Sequence, residues 1–248
     1  MHGKVYQVFP LGKEETSPGA IESHFPPTGT LSPRWMNCLL RKACSFLKLA
    51  IVNTHSFYRV LVPLAEGFEE IEAITTIDVL RRAEVHVTVA TLHNTVTAPI
   101  RASRRTQHLA DEVLDDVLDS YFHAIALPGG RPGADYLRVH TKLLECIQKN
   151  HAEGRLIAAI CAAPLALESA GILADETFTI HPSAAKDLRK LRPLHQPLVV
   201  YKNIITAQAA AHSMSFALEI VRRLCGEETM QKVASALMAA EPQPYVVS

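Results

Sequence analysis

The sequence predicts an α/β domain: a mostly parallel sheet with helices on both faces. Three observations carry this. Residues 59–64, 124–127 and 156–160 are short, almost wholly apolar runs of the kind that fill a sheet buried on both sides. Segments of helical length separate them. Connections of that length between parallel strands are right-handed βαβ units, which place helices on both faces.

Read in order, the first strand covers 59–64, and residues 69–83 form a helix with Ile71, Ile74, Ile77 and Leu80 along one face. Residues 84–92 alternate, with Val85, Val87 and Val89 on one side, as a strand requires. A helix is expected at 110–120 and a strand at 124–127 running into Pro128-Gly129-Gly130. One helix should span 135–150, followed by the strand 156–160, a helix over 162–170 closed by Gly171, and a strand at 177–180. Residues 198–201 and 204–207 read as a hairpin turning at Lys202-Asn203, and two helices near 213–224 and 227–239 complete the domain.

Residues 1–57 differ. Pro10, Pro18, Pro26, Pro27 and Pro33 fall among Gly, Ser and Thr, a composition that buries little, so this stretch is expected to be a poorly ordered extension of a domain at 58–248. Residues 36–50 have the pattern of a short amphipathic helix. The start lacks the basic residues and apolar core of a secretory signal and carries Glu14, Glu15 and Glu22, against a simple mitochondrial presequence. A cytoplasmic location is expected, with organelle targeting through 1–57 as the alternative. No uncharged apolar run reaches the roughly 18 residues of a membrane span.

Lys plus Arg, 25, equal Asp plus Glu, 25, so net charge gives no reason to expect nucleic acid as a partner. The five cysteines are scattered without CxxC or metal-finger spacing, as in a reduced compartment. No metal or organic cofactor is signalled.

In parallel sheets the site lies beyond the carboxyl ends of the strands. Cys161 stands there, between the apolar strand and a helix, flanked by Ala158, Ala159, Ala162 and Ala163; a nucleophile elbow needs such small neighbours. The helix N-terminus is expected to lower its pKa. The competing reading is a buried, inert cysteine. Gly129 and Gly130 can expose backbone N–H groups which, with that of Ala162, would hold an oxyanion; a plain turn is the alternative. No Lys-Ser/Thr follows them, so they do not make a phosphate-binding loop. Glu72, on a helix that looks inward, would be partly desolvated and suited to acid/base work, unlike Glu69 and Glu70, which fit an exposed helix start. His181, at a strand end, can move protons near neutral pH or be merely structural.

These segments in this order resemble the ThiJ/PfpI superfamily, most closely the branch of the Parkinson-disease-associated protein deglycase. The resemblance lies in residues 60–72 (Val-Leu-Val-Pro-Leu-Ala-Glu-Gly-Phe-Glu-Glu-Ile-Glu), 78–83 (Asp-Val-Leu-Arg-Arg-Ala), Leu127-Pro128-Gly129-Gly130, 158–164 (Ala-Ala-Ile-Cys-Ala-Ala-Pro), His181-Pro182 and 213–221. It covers roughly residues 58–240 and implies a flavodoxin-like three-layer sandwich. It also implies that Cys161 is the reactive cysteine, Glu72 the carboxylate that contacts it and His181 the nearby histidine. Gly130 and Ala162 take the oxyanion positions, and Arg104 falls where a partner subunit supplies an arginine. A homodimer with the 69–83 helix in its interface is implied as well. There are departures. Ala209-Ala210-Ala211 stand where the family has Gly-Pro-Gly, Ala163 where glycine is frequent, and Ala102 and Leu109 where some relatives carry cysteines.

The expected activity is that of a glutathione-independent glyoxalase or protein deglycase, acting on methylglyoxal, glyoxal or early adducts on glycated protein, and protective against carbonyl and oxidative stress. The alternative is a non-enzymatic redox sensor or chaperone using oxidation of Cys161. A cysteine peptidase is disfavoured because Ala162, not histidine, follows Cys161. An amidotransferase is disfavoured because His212 has no acid two positions later.

Overall fold

A computed structural model describes residues 57–247. The short helix expected at 36–50 and the character of residues 1–56 lie outside the described residues.

Three apolar strands make the centre of the sheet: β1 (Arg59–Leu64), β6 (Ala124–Leu127) and β7 (Leu156–Ile160). β2 (His86–Thr91) and β5 (Glu112–Val113) extend it on one side. β9 (Ile204–Ala207), β8 (Leu198–Tyr201) and β10 (Tyr245–Val247) extend it on the other. The order is β10-β8-β9-β7-β6-β1-β2-β5, with every pairing parallel except the β8–β9 hairpin. β3 (Ile100–Arg101) and β4 (Gln107–His108) form a separate two-stranded hairpin.

Alternation along the central strands fills two cores. Val60, Val62, Leu64, Ala124, Ala126, Ala158 and Ile160 face one cluster, and Leu61, Ile125, Leu127, Ile157 and Ala159 face the other. The first cluster is closed by α1 (Glu70–Arg82), α7 (Ser213–Cys225) and α8 (Glu227–Ala236). The second is closed by α2 (Leu114–Val117), α4 (Thr141–Ala152) and α5 (Pro164–Ser169). α3 (Gly133–Leu137) and α6 (Pro182–Ala185) flank the carboxyl ends of the strands. Burial on both faces explains why the central strands are almost wholly apolar.

Four expected elements differ. The helix at 110–120 shrinks to α2, because the Asp111 N–H donates to Val89 O (2.8 Å) and the Asp111 carboxylate accepts the Val89 N–H (2.9 Å), drawing the chain along β2 as an edge strand. The helix at 135–150 is two helices, since the His140 side chain accepts the Leu143 N–H and caps a new start. Residues 177–180 form no strand: the Thr179 N–H donates to the Thr206 hydroxyl (2.9 Å) instead of a backbone carbonyl. On α1 the buried face holds Glu72, Ala73, Thr76, Ile77, Val79 and Leu80, whereas Ile71 and Ile74 point outward. No helix among the described residues is long and apolar enough to cross a membrane.

The β8–β9 turn is tied to the sheet by Asn203, whose amide donates to His151 O (3.1 Å) and Arg155 O (2.7 Å). Asn203→Ala removes both bonds, leaving His151 O with the Gly154 N–H, and should lower stability by about 2 kcal/mol in denaturant unfolding at unchanged m-value.

Candidate functional site

β7 ends on a residue that the backbone strains. Cys161 has φ 63°, a left-handed conformation in a non-glycine residue, which costs about 1–2 kcal/mol. Both sides of the residue are held: its N–H donates to Ala207 O at the end of β9, and its C=O accepts the His181 N–H, each at 2.9 Å. The turn aims the Cys161 side chain away from the sheet, toward the loop after β6 and the start of α1.

That loop supplies Gly129 and Gly130. A Cβ on Gly129 would lie 2.8 Å from Cys161 Cβ and from Glu72 Oε2, and 2.9 Å from the Ala162 nitrogen. Gly130 has φ +87°, and a Cβ there would meet the backbone of Glu69 and Gly67 at 2.4 and 2.5 Å. Only glycine lets loop, elbow and helix approach so closely. The Glu69 N–H donates to Gly129 O (3.0 Å), and the Glu69 carboxylate caps α1 by accepting the Glu72 N–H (2.8 Å). The sequence places Glu69 at an exposed helix start; it is a cap that also lines the cleft.

Glu72 is fully buried. Its Oε2 accepts the Gly129 N–H at 2.7 Å, while Oε1 is buried with no nitrogen or oxygen partner among the described residues. The remaining group against this carboxyl is the Cys161 thiol. Burial pushes Glu72 up to about 7, and the Glu69 charge adds to this; the Gly129 N–H and the thiol oppose it.

For Cys161 the structure corrects the expectation of a lowered pKa. Burial, then the charge of Glu72 and its hydrogen bond, push the thiol up to about 12, against the N–H groups of Gly130 and Ala162, which favour thiolate. The helix that was to lower it begins three residues later, at Pro164, and is six residues long. Thiol and carboxyl compete for one proton. With the proton on Glu72, the repulsion disappears and the acid becomes a donor to sulfur.

A cleft of about 450 Å³ opens on this pair and is lined also by Arg104, Gly130, Arg131, Ala162, His181 and Ala209–Ala211. The expected site residues Cys161, Glu72, His181, Gly130, Ala162 and Arg104 thus meet in one cleft, with Gly129 packed beneath it. Arg104 lines the cleft of its own chain, on the β3–β4 hairpin; its N–H donates to the Glu70 carboxylate (2.5 Å), as does the Ser103 hydroxyl (2.9 Å). The three alanines adopt ordinary backbone: Ala209 is extended and Ala210-Ala211 open a 3-10 turn, so none needs a glycine conformation. Ala163 is likewise right-handed, at φ −63°.

Sequence reasoning missed Ser103, Arg131 and Ser183, which also line the cleft. Ser183 had a local signal: a polar residue two positions after a histidine that precedes proline. Among the described residues no group of three or more His, Cys, Asp or Glu is placed to hold a metal ion.

Fold and site define an α/β protein with a cysteine elbow facing a buried carboxyl. The family model described as DJ-1/PfpI family matches residues 58–223, and the chain belongs to that family. Protein dj-1beta of Drosophila melanogaster is 36% identical over 182 residues, 73% of this chain and 96% of that protein. Its crystal structure superposes with a TM-score of 0.70, covering 74% of this chain and 98% of the other. The glutathione-independent glyoxalase DJR-1.2 of Caenorhabditis elegans is 32% identical over 184 residues, 73% of this chain and 96% of that protein. Protein DJ-1 homolog B of Arabidopsis thaliana is 34% identical over 181 residues, 73% of this chain, and the match spans 41% of the plant protein's length.

Two consequences can be measured. Gly129→Ala should destabilise the fold by about 1–3 kcal/mol, because its Cβ meets backbone and a buried carboxylate, neither free to move; an unchanged denaturation midpoint would refute that packing. The second concerns pH. A carboxyl raised in the folded state contributes stability that is complete below the unfolded value and is lost as pH rises through about 7. Glu72→Gln removes this dependence, so wild type should lose on the order of 3 kcal/mol relative to the variant between pH 5 and 8. Parallel stability curves across that range would show that Glu72 is not held neutral.

Proposed function

We propose that the protein is a cysteine-dependent, glutathione-independent glyoxalase of the deglycase type, acting on methylglyoxal, glyoxal or their early adducts on protein amines. The observation that carries this is the pairing of a strained, partly exposed Cys161 with a fully buried Glu72 whose only other side-chain bond among the described residues is to Gly129. The Caenorhabditis elegans relative named as a glutathione-independent glyoxalase supports the same reading.

With the proton on Glu72, the Cys161 thiolate adds to the aldehyde carbon of methylglyoxal. Glu72 gives its proton to the aldehyde oxygen, and a hemithioacetal results. The Glu72 carboxylate then removes the hydrogen from that carbon. The charge moves to the neighbouring oxygen as an enediolate, within reach of the donor groups that line the cleft. Glu72 returns the proton to the second carbon, while His181 passes the hydroxyl proton from the first oxygen to the second. The product is a lactoyl thioester. Water attacks it, the thiolate leaves, Glu72 regains a proton, and lactate departs. The sum is methylglyoxal plus water giving lactate and a proton, with no external oxidant or reductant.

A second reading uses the same pair. A protonated Glu72 would also hold an oxidised Cys161 by donating to a sulfinate oxygen, and the cysteine lines an open cleft through which an oxidant can reach it. In either case we propose a homodimer. Ile71 and Ile74, 57% and 42% exposed on α1, give that helix an apolar outer face suited to a second copy.

The deciding measurement is D-lactate formation from methylglyoxal without glutathione, in wild type and Cys161→Ala. Wild type should turn over, and the variant should fold normally yet lose at least ~100-fold in kcat/KM. Product from Cys161→Ala at the wild-type rate would overturn the mechanism. No product from a folded wild type would favour the redox reading.

A further inference from the structure

His181 begins α6, and its side chain caps that helix: Nδ1 accepts the Ser183 N–H at 3.2 Å and lies 2.8 Å from the Ser183 hydroxyl oxygen. A hydrogen on Nδ1 would face the Ser183 N–H, donor against donor. A bare Nδ1 accepts from both the amide and the hydroxyl. The ring hydrogen then belongs on Nε2, which has no partner among the described residues, on a residue that lines the cleft beside Cys161. Pro182 at the first helical position has a fixed φ, and the His181 N–H is bonded to Cys161 O, so the ring pivots from a backbone anchored to the elbow itself.

We infer that Ser183 is a positioning residue: its hydroxyl and N–H together hold His181 as the neutral Nε2–H form, so that all chemistry of the imidazole takes place at Nε2. This rests on the glyoxalase reading and sharpens it. A neutral imidazole donates Nε2–H to the enediolate oxygen, then takes the proton of the adjacent hydroxyl at the same nitrogen. The relay between the two substrate oxygens runs through one atom, and no imidazolium forms. The matching substrates carry two adjacent oxygens, as 2-oxoaldehydes do; a simple aldehyde leaves the second half of the relay without a partner.

The experiment combines NMR of protein labelled with 15N-histidine with steady-state kinetics, for wild type, Ser183→Ala and Ser183→Thr. The His181 signals are identified by their loss in His181→Asn. Wild type should carry the ring hydrogen on Nε2. Ser183→Ala should show the Nδ1–H form as well and lose roughly three- to tenfold in kcat, as expected for one lost hydrogen bond, with little change in KM. Ser183→Thr should restore both. A hydrogen on Nδ1 in wild type overturns the inference. So does a Ser183→Ala protein in which the tautomer or kcat stays as in wild type. If wild type forms no lactate at all, the glyoxalase reading fails by itself, and the tautomer of His181 with its response to Ser183→Ala still decides the inference.

Discussion

The left-handed backbone of Cys161 is the constraint on which the rest of the site depends. A cysteine held at φ 63° persists only where its surroundings leave no alternative. Here the end of β9 takes its N–H, His181 takes its C=O, and Gly129 fills the space beneath its Cβ. These contacts come from three separate segments of chain. The parallel sheet brings them together because β6, β7 and β9 are neighbours whose carboxyl ends share one edge. The strain is small against the apolar burial of a strand with no exposed residue.

The same crowding sets the electrostatics. Gly129 has no side chain, so α1 can approach until Glu72 touches the loop, and that approach excludes water from the carboxyl. A carboxyl pushed up to about 7 by burial, beside a thiol pushed up by burial and by that carboxyl, is a pair sharing one proton. The helix dipole is secondary. What favours negative sulfur is the N–H groups of Gly130 and Ala162, together with a neutral Glu72. Glu69 acts on both levels, capping α1 and raising Glu72 by its charge.

Much of this was legible in the residues. The apolar strands announced a doubly covered sheet, and the small residues around Cys161 announced a tight turn. Glu72 stood out as a carboxylate on an inward helix, although the periodicity assigned the wrong neighbours to its face: Ile71 and Ile74 look like core and are exposed. The errors elsewhere have one cause. Residues 110–120 and 135–150 have helical composition, but Asp111 and His140 use their side chains on backbone N–H groups and redirect the chain. Such bonds depend on which strand or turn lies nearby, and no local pattern records that. The thiol was misjudged for the same reason: a helix start is visible in sequence, whereas the depth at which it is buried is not.

The substituted alanines bear on how the cleft differs from its relatives. At the three positions where the sequence resemblance implies Gly-Pro-Gly, Ala209 is extended and Ala210-Ala211 enter the turn before α7 without a left-handed residue. The backbone therefore never required glycine here, and the methyl groups act on the cleft alone. They add apolar surface to a cleft whose other lining residues include His181, Arg131 and Glu72. Arg131, which lines the same cleft, is held by its ion pair with Asp187 at 2.5 Å, which joins the β6–α3 loop to the segment after α6. The backbone bonds that hold the Cys161 elbow come from Ala207 and His181 and not from these three alanines, so the substitutions bear on the lining of the cleft rather than on the elbow.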